Sequence, residues 1–285
     1  MLLSDSTSIT TQQNIQILVI DNDYALATVS LFGGQILSFK PKYDQRERLW
    51  LSNKAILDAK KAIRGGVPVC WPWFGAHQAV RDNLPEANFP AHGYVRTQQW
   101  KIVKCHDTSN GTEVVLQPSS SQGDGFEGKA QLSLIINVGA RLSIKLVTEN
   151  LSEKSFSFTC ALHSYFSIAD IHSCQLSGFY GDYKDKTRNW KVLETPVPYI
   201  FSEETDRIHL STPRKVSIVE DIGNIDIMSA GHDSMVVWNP WADKSATMID
   251  VKNNGFQTML CVETAITHGE IVAAGGSHTL EQIIC

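Results

Sequence analysis

Four short segments concentrate side chains that can do chemistry without a cofactor. Ile63–Gly75 (IRGGVPVCWPWFG) sets Arg64 among two prolines, three glycines and three large aromatics. Such a run builds neither a regular helix nor a central strand. It is a rigid loop that either presents Arg64 to a ligand or packs with the arginine snorkelling to water. His92-Gly93-Tyr94-Val95-Arg96 spaces a histidine and an arginine around a glycine, so both face one ligand or both lie in an exposed loop. In Cys160–Phe166 (CALHSYF), His163 has the parity of Ser155, Ser157, Thr159 and Ala161, opposite the Phe156–Leu162 row. That places it on the second face of a sheet, as a proton carrier or as a hydrogen-bonded structural histidine. Met259–Ala265 (MLCVETA) embeds Glu263 in an apolar strand. A carboxylate there is costly unless paired or functional, and burial would tune it as an acid or base. The plain alternative is a glutamate at a strand end reaching water. His163 and Glu263 are 100 residues apart in the chain, so only the fold can join them.

The elements that must position these residues read as strands. Leu132, Leu134, Ile136 and Val138 alternate with polar neighbours, as do Leu142, Ile144 and Leu146, and Phe156, Phe158, Cys160 and Leu162. This period of two is the signature of a strand with one face toward a core. Further strand-like runs are Ile15–Ile20, Leu26–Leu31, Gln35–Phe39, Trp100–Cys105, Thr112–Leu116, Asp233–Trp238, Gln257–Val262 and His278–Ile284. Val138-Gly139-Ala140 reads as a hairpin connection. Helical turns are expected only near Ala55–Ala62 and Leu84–Ala87. Many strands with no helices between them predict an all-β fold, a large antiparallel sandwich or barrel. The Ser-rich loop Pro118–Gly125 lies between β patterns, so residues 1–285 are expected to form one domain.

Composition bounds the function. The chain has 285 residues, 42% hydrophobic and 19% charged, with a net charge of −5. That excludes a disordered chain and argues against a nucleic-acid or anionic-membrane surface. The six cysteines are scattered with no CxxC spacing, as expected for reduced thiols in the cytoplasm. The first residues lack a basic start and an apolar stretch, and no run is long enough for a membrane helix. Gly123–Gly128 matches GxGxxG, but a Ser-rich loop precedes it and a strand pattern follows, the wrong context for a dinucleotide site. The histidines show no close metal-ligand spacing, and no HExxH or GxSxG occurs.

Seven pieces occur in order: RGGVPVCWPWFG (64–75), HGYVR (92–96), LHSYF (162–166), YKDK (183–186), TDRI (205–208), VWNPW (237–241) and CVETA (261–265). With them the chain resembles the aldose 1-epimerase (galactose mutarotase-like) superfamily, and more narrowly its glucose-6-phosphate 1-epimerase branch. The resemblance implies a large antiparallel β-sandwich, with His163 and Glu263 as the catalytic pair. It implies that His92 and Asp206 bind the sugar and that Arg64 and Arg96 hold a phosphate. It implies a monomer acting on a small hexose 6-phosphate, with no cofactor and no metal. Relatives often carry Gln at the position of Ala91, so either that polar contact is absent or Gln98 or Gln99 supplies it.

The implied reaction is mutarotation: Glu263 takes the anomeric hydroxyl proton, His163 protonates the ring oxygen, and the ring opens and recloses. Trp71, Trp73 and Phe74 either stack on the sugar or pack the loop. Tyr183–Lys186 is either a lysine near the phosphate or a solvated turn. Two other readings stay open, an epimerase of unphosphorylated aldoses and a non-catalytic sugar-binding protein on the same fold.

Overall fold

Alternation of apolar and polar side chains buries one face of a strand and leaves the other for water or for a site. The computed structural model describes residues 3–84 and 87–285, and its strands fall into three sheets. Thr7–Gln12, Ile15–Asp21, Ala25–Ser30 and Gln35–Pro41 form a four-stranded meander. An eight-stranded sheet, here the site sheet, runs in the order Lys191–Glu194, Asp182–Asp185, Thr205–His209, Ser234–Asn239, Met259–Val272, Phe156–Leu162 and Val69–Cys70. Its eighth strand, Tyr165–Ser167, pairs with Met259–Val272. The other eight-stranded sheet, the back sheet, runs Gln175–Ser177, Lys215–Val219, Ile225–Ala230, Ser277–Ile284, Leu142–Asn150, Ala130–Val138, Gly111–Pro118 and Trp100–Thr108. The strand ladders are antiparallel throughout, as in neighbours Ala130–Val138 and Leu142–Asn150.

One apolar cluster joins the sheets. Leu162, Val237, Leu260, Val262 and Ile266 of the site sheet share it with Leu116, Leu134, Ile144 and Leu280 of the back sheet and with Leu18 and Phe39 of the meander. The site sheet thus turns Leu260 and Val262 inward, and period two sends Cys261 and Glu263 to its outer face. All-β architecture and the Gly139–Arg141 hairpin follow the sequence pattern, with Val138 paired to Leu142. Gly123–Gly128 sits in the connection leading to Ala130–Val138, with no helix after it.

Two local expectations need correction. Ala55–Ala62 forms bends and loop rather than a helical turn. Among the described residues the α-helices lie instead at Gln78–Arg81 and Trp241–Thr247, both too short to show a helical period. The strand expected over Gln257–Val262 starts at Met259, because Gly255–Thr258 is a 3₁₀ turn, and it continues to Val272. The Leu84–Ala87 turn falls partly outside the described residues. Among the described residues, no helix is long and apolar enough to cross a membrane.

Candidate active site

Strand register brings the distant pair together. Leu162 pairs with Thr264 and Tyr165 with Cys261, which sets His163 across from Glu263 on the outer face. Val236 pairs with Glu263 and Ile208 with Val236, extending that row. The next row is Tyr165, Cys261, Trp238 and Asp206. His163 is tied by its backbone N–H to Pro68 O at 3.0 Å, so the Arg64–Gly75 loop flanks it.

That loop also holds His92. Gly93 lies at φ +71°, and a Cβ there would sit 1.9 Å from Trp71 O, so only glycine fits. His92 itself has φ +64°, a strained value for a histidine. The strain is held by reciprocal bonds: His92 N–H to Gly75 O at 2.7 Å, and Gly75 N–H to His92 Nδ1 at 3.2 Å. With Nδ1 accepting, the proton of the neutral ring resides on Nε2. Burial, followed by the charges of Arg96, Lys186 and Arg64, lowers the His92 pKa to about 3, so the ring is neutral near pH 7.

His163 Nε2 lies 3.4 Å from Glu263 Oε1. His163 stacks on Tyr165 with centroids 4.9 Å apart, and its ring centroid is 5.6 Å from that of His92. Burial pushes Glu263 well above the usual carboxylate range; Lys186 works against this shift and Asp206 with it. Burial also pushes His163 well below the usual imidazole range, aided by His92, Arg96 and Arg64. His163 Nδ1 and Glu263 Oε2 are buried without a hydrogen-bond partner. A second proton on the His163 ring would therefore leave a buried N–H unpaired, which adds to the desolvation cost.

A cavity of about 180 Å³ opens over the pair, lined also by Arg64, His92, Lys186 and Asp206. Arg64 donates through Nε to Asp250 at 3.1 Å and through Nη1 to the Tyr165 hydroxyl at 3.0 Å. Lys186 donates to both Asp206 oxygens, at 2.9 and 3.0 Å. Lys244 pairs with Glu204 at 2.6 Å. Three cations and two carboxylates therefore face one space.

Of the six candidates, Arg64, His92, His163, Asp206 and Glu263 line this cavity and Arg96 does not. The Arg96 guanidinium donates to Ala91 O at 2.7 Å, and its charge is felt at both His92 and His163. Neither glutamine lines the cavity in place of the missing contact at Ala91; Gln98 is engaged with Ser119 and Ser120. Trp71 is fully buried, and Trp73 donates to Pro90 O and packs against His77, so Phe74 alone of the three loop aromatics reaches the cavity. The turn residue left open, Lys186, belongs to the site. Sequence reasoning missed Tyr165 and Trp238, although Tyr165 shares the parity of His163. Lys244 comes from the short Trp241–Thr247 helix and carried no signal.

One group of donors has metal-like spacing among the described residues. A His163 nitrogen, the Cys261 sulfur and a Glu263 oxygen lie within 4.8 Å of one another. Cys261 is fully buried, and burial pushes its thiol far above the ordinary range, which holds it neutral.

Comparison with known proteins adds relatives. The family model described as "Aldose 1-epimerase" matches residues 16–285. A protein of Escherichia coli (strain K12) named "Putative glucose-6-phosphate 1-epimerase" is 33% identical over 256 residues, which is 88% of this chain and 83% of that protein. One of the same name from Cenchrus ciliaris is 30% identical over 270 residues, 88% of this chain and 78% of its own. The crystal structure titled a putative mutarotase from Salmonella typhimurium superposes with TM-score 0.90 at 29% identity, covering 100% of this chain and 94% of that one.

Proposed function

The chain belongs to the aldose 1-epimerase family, and from that premise we propose that it is a glucose-6-phosphate 1-epimerase, exchanging the α and β anomers of hexose 6-phosphates. The observation that carries the reading is the buried Glu263–His163 pair, 3.4 Å apart, beneath a cavity lined by Arg64, Lys186 and Lys244.

Ring opening moves two protons. Glu263 takes the proton of the anomeric hydroxyl. The C1–O5 bond breaks with its electron pair on O5, and O5 receives a proton from His163. The aldehyde rotates about C1–C2. In closure the protonated Glu263 returns a proton to the carbonyl oxygen, while neutral His163 takes the proton of the attacking hydroxyl. The ionised and neutral forms of the pair carry the same single proton, so no exchange with solvent is needed between the two halves. Burial favours the neutral form, the one poised for closure. Each positioned acid or base contributes roughly 10²–10⁴-fold. His92 Nε2–H and Asp206 orient sugar hydroxyls. Arg64, Lys186 and Lys244, which line the cavity, attract the phosphate dianion, and Arg96 adds its charge from outside the cavity. On the same reading the chain is a monomeric, single-domain cytoplasmic enzyme that needs neither metal nor organic cofactor.

One observation favours the unphosphorylated aldose as substrate: each cavity cation already has a carboxylate partner, Asp250, Asp206 or Glu204. Anomer exchange of glucose and of glucose 6-phosphate, measured side by side by saturation-transfer NMR, separates the readings. The phosphosugar reading expects kcat/KM to favour glucose 6-phosphate. It also expects Arg64→Ala to erode that preference by ~10-fold or more, the worth of a charge-assisted hydrogen bond. Equal rates on both sugars, unchanged in Arg64→Ala, would contradict it.

A further inference from the structure

We infer that Gln282 is a positioning residue for the acid–base pair, holding the two strands that carry His163 and Glu263 from behind the sheet. This rests on the catalytic reading of that pair. In the back-sheet strand Ser277–Ile284, the inward positions are Leu280, Gln282 and Ile284, all fully buried. Alternation calls for an apolar residue at 282, and a primary amide stands there instead.

Its hydrogen bonds cross the core to the reverse side of the site. Gln282 Nε2 donates to Val262 O at 3.3 Å and to Thr264 Oγ1 at 2.8 Å, the two residues flanking Glu263. The Ser164 hydroxyl, next to His163, donates to Gln282 Oε1. A backbone carbonyl can only accept, so the bond to Val262 O orients the amide unambiguously. Thr264 Oγ1 also lies 2.7 Å from Ser229 Oγ, and Ser229 pairs with Gln282 in the back sheet. All four side chains are buried.

The location matters because strand structure lapses at His163 and Ser164, between Phe156–Leu162 and Tyr165–Ser167. Across that break Val262 N–H donates to Ser164 O at 3.2 Å, the upper end of the ordinary range. Gln282 stitches the break to the strand opposite. An apolar side chain of similar size would fill the same space, leave the Ser164 hydroxyl unsatisfied and leave Thr264 with Ser229 alone. The 3.4 Å separation of His163 and Glu263 would then lose its support, and misplacement by about 1 Å is enough to cost ~10²-fold in rate.

The test is glucose 6-phosphate anomer exchange with kcat and KM determined separately, for Gln282→Leu, Ser164→Ala and the double variant, each checked by near-UV circular dichroism. A positioning role predicts kcat lowered ~10- to 100-fold in Gln282→Leu with KM within about twofold. Ser164→Ala shows a smaller kcat loss of roughly fivefold, and the double variant is no worse than Gln282→Leu, because both act through one network. A folded Gln282→Leu with wild-type kcat overturns the inference, as does a rise in KM alone. If Gln282→Leu does not fold, Ser164→Ala decides: a kcat loss at constant KM supports the role and wild-type kcat overturns it. Glu263→Gln in the same assay separates the two claims. Should it keep full exchange, the catalytic reading fails; should it lose exchange while the Gln282 and Ser164 variants keep theirs, only the positioning role fails.

Discussion

Burying Glu263 and His163 side by side moves their proton affinities in opposite directions, the carboxyl up and the imidazole down. Between the two shifted values the pair holds one proton, and that is the form each half-reaction needs. The pH profile of kcat, which reports the enzyme–substrate complex rather than the free phosphosugar, should accordingly lack a limb at the ordinary histidine value of 6.5 and fall on the acid side only below it. The alkaline limb follows Glu263. Lys186 lowers the Glu263 pKa, so Lys186→Met removes that influence and should move the alkaline limb upward. A limb that stays in place or moves down would contradict the assignment. Replacing His163 by Ala should remove roughly 10²–10⁴-fold of the exchange rate while leaving the fold intact, since its Nδ1 has no protein partner to lose. Thermal unfolding of the same variant checks the second half of that statement.

The strands and the Arg64–Gly75 loop decide where those residues stand. The outward placement of His163 is legible in the alternation from Ser155 onward, and the polarity of Glu263 within MLCVETA marks it. Their union was not legible, because it depends on the register of Met259–Val272 against two strands at once, and register is a property of pairing rather than of one segment. Gln282 interrupts an otherwise apolar inward row, a signal that is visible only once the inward face is known. Lys244 was illegible for another reason: a helix of seven residues has too few turns for its period to show. At Gly93 the loop allows no side chain, so Gly93→Ala should cost at least about 1–3 kcal/mol through backbone strain and displace His92. The expected signature is a lower Tm together with weaker sugar binding, read as a raised KM. A variant with wild-type Tm and KM would show that the Trp71 contact is dispensable.

The whole molecule carries a net charge of −5, yet its cavity gathers Arg64, Lys186 and Lys244. On the phosphosugar reading, global charge misdirects and the local field at short range selects the ligand. Because salt screens partly exposed charges over about 8–10 Å, KM for glucose 6-phosphate should rise with ionic strength while that for glucose stays level. Parallel salt dependence would show that the cations do not select the phosphate. The fold class was the most legible property of all, since alternation from Ile15 to Ile284 leaves room for only a sandwich or barrel; which face of which sheet holds the site emerged from the packing of Val262 and Leu260 into the shared core. The most direct test of the central claim is the rate of α–β exchange of glucose 6-phosphate by saturation-transfer NMR, for the wild type and for Glu263→Gln. The account predicts wild-type exchange far above the spontaneous rate and a Glu263→Gln variant lowered by roughly 10²–10⁴-fold, with its fold intact. A wild type that adds nothing to the spontaneous rate, or a Glu263→Gln variant as fast as wild type, would contradict it.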